Sequence, residues 1–386
     1  MPMTSAADLP SPGADALRAS EALAAEIRAA LERAGGWLDF ASYMQLALYA
    51  PGLGYYSGGS TKLGASGDFV TSPELSGALG RALATTLQLE LEGIAAPVIL
   101  ELGAGSGALA AQILDALAAR GDTRAVYRIL EPSAELRERQ RRTLQRFGER
   151  VAWLERLPDA PFDGAIVANE VADALPVTCF VKRSGRARPL GVELRSGGFA
   201  WAEGRDDPEL AAAVESIERE LDAPLAEGYR SEICRLLPAW IGSLAASLAR
   251  GSVLLVDYGL TRREYYHPQR SSGTLICHYR HRAHDDPFVY PGLQDISAWV
   301  DFSACAAAAS AAGLAVAGFT TQAQFLLGQL AAEPLPAAVD AAALRELAAL
   351  KTLLLPGEMG ERFKVLLLRK GGASGPLPGR DMRGRL

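Results

Sequence analysis

A short glycine run and a few acids placed around it carry the chemistry that can be read from this chain. Glu101 stands two residues before Gly103-Ala104-Gly105-Ser106-Gly107. Glu131 follows thirty positions later, with Pro132 and Ser133 behind it. Asn169-Glu170 closes another apolar run, and Asp173 comes three residues on. Glycines at this spacing expose backbone N–H groups that a Cβ would shield from a ligand. A carboxylate beside them suits a cation better than a pyrophosphate. An acid at the end of the next strand is where nucleotide-type folds bind ribose hydroxyls. Glu170 and Asp173 can face the same way in a turn or a first helical turn. Two such carboxylates can grip a planar guanidinium and localise its charge on one nitrogen. Each feature also has a plain structural reading. These are a tight strand–helix turn, a solvated Glu capping with Ser133, and a helix N-cap with first-turn acids.

The four histidines form a second group. His267, His278, His281 and His284 fall in an eighteen-residue window that also holds Cys277. Arg280 and Arg282 interrupt them and acids are few before Asp285, so no metal is expected. Contact with a substrate, or proton transfer, suits the window better. His278 and Tyr258 are the candidates for touching an acceptor or taking its proton. A structural polar loop is the competing reading.

The elements that must position these residues follow from periodicity. Val98-Ile99-Leu100, bounded by Pro97, reads as a buried strand that Glu101 ends. The glycine turn and an Ala/Leu-rich helix come next. Further strands are expected at 125–130, 151–154, 164–168, 253–257, 314–320 and 363–368. With helical stretches between them, these seven runs predict an α/β fold around a doubly wound, Rossmann-like parallel sheet. In such a sheet the acids at neighbouring strand ends share one crevice.

Around that sheet the pattern changes. A loose tail is expected over 1–15. Helices at 16–34 and 40–48 lead into the aromatic turn 49–56, and a glycine-rich loop over 58–72 precedes a helix at 74–91. The span 16–97 thus reads as N-terminal helices with a covering loop. The first half of the α/β domain is 98–178. An insert over 179–250 holds an antiparallel meander (179–183, 191–194, 199–202) and helices at 208–221 and 233–248. The second half, 251–370, carries a long polar and aromatic excursion at 259–300, unusual inside a compact domain. Residues 294–302 look like a capped helix start. A loose tail over 371–386 follows.

Composition narrows the function. The chain has 386 residues, is 49% hydrophobic and carries a net charge of −6. It can bury a large core and advertises neither nucleic-acid nor anionic-membrane binding. Its four cysteines are scattered without a C-x-x-C pair, which points to a reducing compartment. No apolar run reaches membrane-spanning length. The first twenty residues hold Asp8, Asp15 and a single arginine, so neither a secretory signal nor an Arg-rich transit peptide is expected. No G-x-S-x-G elbow, Walker loop or H-E-x-x-H motif is present.

The glycine spacing resembles motif I of class I S-adenosylmethionine (SAM) methyltransferases more than the dinucleotide G-x-G-x-x-G, which places Ala108 at its third glycine. Across residues 20–368 the resemblance becomes specific. FASYMQLALYAPGLGYYSGG, GDFVTSPELSGALG, LELGAGSG, ILEPSAELRERQ, ANEVADALPV, VDYG and SGTLICHYRHRAHDDPFVYPGLQDISAWVDFSA are similar to the MidA family, the complex I assembly methyltransferases and their bacterial relatives. So are TQAQFLLG and MGERFKVL. The resemblance implies a seven-stranded class I fold with added segments. It implies a SAM site lined by Glu101, Gly103, Ala104, Gly105, Ser106 and Gly107, by Gly67, Phe69 and Thr71, by Glu131, Pro132 and Ser133, and by Asn169 and Glu170. It implies S-adenosylhomocysteine as product and an arginine of a protein as acceptor, in the mitochondrial relatives on a complex I core subunit. Glu170 and Asp173 are then the acids for the guanidinium. With no transit segment, the expected setting is the bacterial cytoplasm. A SAM-binding assembly scaffold without turnover and an NAD-type oxidoreductase stand as alternatives.

Overall fold

Seven apolar runs pair into one sheet in the computed structural model, which describes residues 3–58, 71–330, 340–371 and 375–386. The strands are β1 (Val98–Leu102), β2 (Val126–Leu130), β3 (Val151–Leu154), β4 (Phe162–Asn169), β5 (Leu248–Leu260), β6 (Ala315–Thr321) and β7 (Phe363–Lys370). Their order is β3-β2-β1-β4-β5-β7-β6, and a two-residue strand, Val300–Asp301, adds to the end of β5. β1 to β5 run parallel. β7 runs antiparallel to both β5 and β6, an exception to the all-parallel expectation. The chain winds outward from β1 in one direction and from β4 in the other, so strand order reverses between them. That reversal is where open α/β sheets bind ligands, outside the carboxyl ends of the strands.

This sheet belongs to one of two units into which the chain divides: Val70–Ala172, Leu237–Leu260 and Val300–Leu386. All five residues of β1 are buried. Two helices cover it, α1 (Ala78–Glu90) and α2 (Ala108–Ala119), through Leu79, Leu83, Leu87, Leu109, Ile113 and Leu117. Burying a leucine-sized side chain is worth about 2 kcal/mol, so the apolar stripes of these two helices suffice to fix them on the sheet. α3 (Ala134–Leu144) is mostly charged and buries only Leu136, Gln140 and Leu144.

The other unit comprises Met1–Phe69, Asp173–Leu236 and Thr261–Trp299. It holds a five-stranded antiparallel sheet of Leu38–Asp39, Arg186–Arg195, Thr178–Arg183, Arg230–Ile233 and Gly198–Glu203. Arg282–His284, Ile276–Tyr279 and Asp295–Ser297 form a second, three-stranded sheet. Leu23, Ile27 and Leu31 of the helix Ala14–Arg33 pack with Phe40, Tyr43, Val181 and Val192.

Several expectations change. Residues 230–233 are a strand, and the helix expected from 233 starts at Leu237. The helix expected over 74–91 breaks at Ser76-Gly77 into Ser72–Leu75 and α1. Residues 295–297 form a strand, with the following helix capped instead by Asp301. Neither tail hangs loose over its described residues. Leu9 is buried, and the Thr4 N–H donates to the Ala283 carbonyl at 2.8 Å. Leu377 packs on Gly318, and the Met382 N–H donates to Phe319 of β6 at 2.8 Å. An edge strand leaves unpaired backbone groups, and the C-terminal segment satisfies one of them.

Candidate active site

The glycine turn is built by backbone conformation. Gly103, Gly105 and Gly107 have φ of +61°, +53° and +83°, in the left-handed region that disfavours side chains. The Gly103 N–H donates to the Leu130 carbonyl at the end of β2 (3.1 Å), and Gly107 closes the turn on Ala104 (2.8 Å). Gly107 is also the N-cap of α2. Among the described residues nothing accepts from the N–H groups of Ala104, Gly105 and Ser106. Three donors at a helix N-terminus are ready for an anionic group. The Ser106 hydroxyl donates to the Glu74 carboxylate, so an acid from the helix Ser72–Leu75 reaches the same turn.

Glu101 lies within β1 rather than ending it and is 2% exposed. The Tyr127 hydroxyl donates to its Oε2 at 2.8 Å. Burial pushes its carboxyl up to about 7; the Tyr127 hydrogen bond opposes this, and the Glu131 charge adds to it. Glu131 is buried just past β2. Its Oε1 accepts from the Ser133 N–H (2.9 Å) and its Oε2 from the Gln140 amide (3.1 Å). Ser133 also caps α3 by accepting from the Leu136 N–H (3.4 Å), while Pro132 is exposed.

Asn169 and Glu170 leave the end of β4. The Glu170 N–H donates to Val256 of β5 at 2.9 Å, and Glu170 sits at φ +54°. A non-glycine residue there is strained by about 1 kcal/mol. The Asn169 amide donates to Glu170 Oε1 (3.1 Å), and its own Oδ1 is buried with no partner among the described residues. Asp257, in the last third of β5, holds the backbone that follows Glu170. Its Oδ2 accepts from Val171 (3.1 Å) and Ala172 (2.9 Å), and its Oδ1 from Tyr258 (2.8 Å). Tyr258 itself is half-buried against the Phe363 ring, 3.9 Å between centroids.

Glu101, the glycine turn, Glu131, Ser133, Asn169 and Glu170 therefore stand at the carboxyl edge of three adjacent strands, β2, β1 and β4. Thr71 precedes the helix Ser72–Leu75 and accepts from the Glu74 N–H at 3.0 Å. Gly67 and Phe69 lie outside the described residues. Asp173 and His278 belong to the other unit. Asp173 is buried there, its carbonyl accepting from Ala298 at 3.0 Å. His278 pairs across the three-stranded sheet with Asp295; burial pushes its imidazole down, against the pull of Asp295. His267 and His281 are exposed and His284 is fully buried, and no His/Cys/Asp/Glu group suited to a metal occurs among the described residues. Four residues escape the sequence reading: Glu74, Gln140, Trp153 and Asp257. Only Asp257 left a trace, as an acid ending an apolar strand.

A family profile of S-adenosyl-L-methionine-dependent methyltransferases matches residues 78–320, more than half of the chain. The chain belongs to this family. The mitochondrial protein arginine methyltransferase NDUFAF7 homolog of Drosophila melanogaster is 28% identical, over 90% of this chain and 85% of its own. The Danio rerio protein arginine methyltransferase NDUFAF7 is 30% identical, over 70% and 68%. A crystal structure from Burkholderia thailandensis, bound to S-adenosyl-homocysteine, is 43% identical with a TM-score of 0.88, covering 97% of this chain and 99% of that one.

The methyltransferase uses SAM as its methyl donor, and the residues at the strand edges fit that group. The amides of Ala104, Gly105 and Ser106, which have no acceptor among the described residues, suit the carboxylate of its methionine part. Glu131, its carboxylate fixed by the Ser133 N–H and the Gln140 amide, is an acceptor of the kind a ribose diol needs. Buried Glu101 supplies negative potential for a cation.

Proposed function

We propose that this methyltransferase methylates an arginine side chain of a protein. The observation that carries the reading is Glu170, an acid held in a strained left-handed backbone at the switch-point edge of β4. Strain of this kind persists only where the surroundings over-determine it. Here the Val256 carbonyl holds the Glu170 N–H, and Asp257 holds the next two amides. A carboxylate so fixed can hold a guanidinium through charge-assisted hydrogen bonds and draw its charge to one nitrogen. Bound SAM supplies an electrophilic methyl carbon. The chain's part is positioning: it keeps the acceptor nitrogen in line with that carbon and excludes water. The names of the curated relatives support a protein acceptor and arginine as its residue. The resemblance to the complex I assembly methyltransferases supports a complex I core subunit among such acceptors. We place the reaction in the bacterial cytoplasm, in keeping with four cysteines scattered without a C-x-x-C pair.

The test is labelling of a cell lysate with tritiated SAM, followed by mass spectrometry of the labelled band. Methylarginine is the expected product. Glu170→Ala and Asp173→Ala, measured separately, should each abolish labelling while S-adenosylhomocysteine still binds. Label on lysine or on a small molecule would overturn the arginine reading. Unimpaired biological function of both variants would favour a scaffold without turnover.

A further inference from the structure

Gln140 is the only uncharged polar side chain that α3 buries, and it is 0% exposed. A glutamine in that position is costly unless its amide is satisfied. Every partner it has is a working part of the candidate site or fixes its orientation. Its Nε2 donates to the Gly105 carbonyl at 3.0 Å and to Glu131 Oε2 at 3.1 Å. Its Oε1 accepts from the Trp153 indole N–H at 2.9 Å. The indole is a donor only, so it can face the oxygen and not the NH2 group. Trp153 therefore decides which way the amide points. Arg141 lies over the Trp153 ring, 5.4 Å from its centre, and keeps it in place. Both amide hydrogens are then committed, one to the glycine turn after β1 and one to the acid after β2.

We infer that Gln140, oriented by Trp153, is a positioning residue that sets Glu131 and the Gly105 turn in register for the cofactor's ribose. The inference rests on the reading of Glu131 as the ribose contact. Without Gln140, Glu131 keeps the Ser133 N–H on Oε1, but Oε2 loses the amide that ties it to the Gly105 carbonyl, and the carboxylate is aimed less firmly. A carboxylate that must meet two vicinal hydroxyls then loses its preorganisation, with no group removed from the ligand's own contacts.

The experiment compares binding of S-adenosylhomocysteine and its 2′,3′-dideoxy analogue by calorimetry, in wild type, Gln140→Met, Trp153→Phe and Glu131→Ala. Wild type should prefer the diol. Glu131→Ala should erase the preference. Gln140→Met should cut it about tenfold, the worth of one charge-assisted hydrogen bond, with the dideoxy analogue weakened far less than S-adenosylhomocysteine. Trp153→Phe should move the preference the same way by about threefold, and it carries the test if Gln140→Met does not fold. An unchanged preference in both variants would overturn the inference. So would an equal loss of affinity for both ligands, which marks a general structural role. If Glu131→Ala retains the wild-type preference, the ribose reading itself fails, whatever Gln140 does.

Discussion

Replacing Glu101 by glutamine should make the ligand-free protein more stable, and more so as pH rises. Glu101 is a strand-interior acid, 2% exposed, whose one hydroxyl donor does not offset burial, so its carboxyl rises from 4.5 to about 7. Its folded value therefore exceeds its unfolded one. Below about pH 4.5 both states hold the proton and the stabilisation is fully present. Between about 4.5 and 7 the unfolded chain releases a proton that the folded chain keeps, and stability falls by about 1.4 kcal/mol per pH unit. The loss totals about 3 kcal/mol by pH 8. Glutamine keeps the shape and an acceptor for Tyr127 but does not titrate. Hydrogen exchange at the β1 amides, followed from pH 5 to 8, reports opening of the unit that contains Glu101. The variant should exceed wild type by a margin that grows over this range. SAM, a cation, should reverse the preference: its affinity for wild type should rise between pH 6 and 8 and stay flat for Glu101→Gln. A pH-independent gap between the two proteins would refute the reasoning, because the charge of Glu101 would then cost nothing where it lies.

Other substitutions probe the strand edges. Glu170→Asn keeps a side chain that tolerates positive φ, so urea unfolding should show a gain of up to about 1 kcal/mol, while methyl transfer falls at least tenfold. Asp257→Asn puts an NH2 group where either Tyr258 or the Val171 and Ala172 amides need an acceptor. It should cost about 2 kcal/mol in the same assay and lower turnover with it. Gly107→Ala forces a Cβ onto φ +83° and against Leu144 Cδ1 at 3.4 Å. A loss of about 1–2 kcal/mol is expected, with a smaller thermal shift on adding S-adenosylhomocysteine; an unchanged melting temperature would mean the turn relaxes freely.

Much of the sheet was legible because its signal is local. β1 is apolar and short, the glycines follow at once, and the Ala/Leu run after them can only be a buried helix. The antiparallel β7 was not legible, since FKVLLL reads the same in either direction and only its neighbours orient it. The packed tails escaped for a similar reason: Pro, Gly and Arg look solvated until an edge strand offers them partners.

The same division runs through the site. By itself the sequence determined which groups can act, because the acids after β2 and β4 and the glycines after β1 are tied to strand ends by covalent spacing. Tertiary structure alone decided how those groups are charged and held. The protonation of Glu101 depends on how deeply β1 is buried, the aim of Glu131 on Gln140 and Trp153 arriving from other elements, and the strain at Glu170 on Asp257, 87 positions away. Desolvation and hydrogen bonding act through space, and a linear pattern records neither.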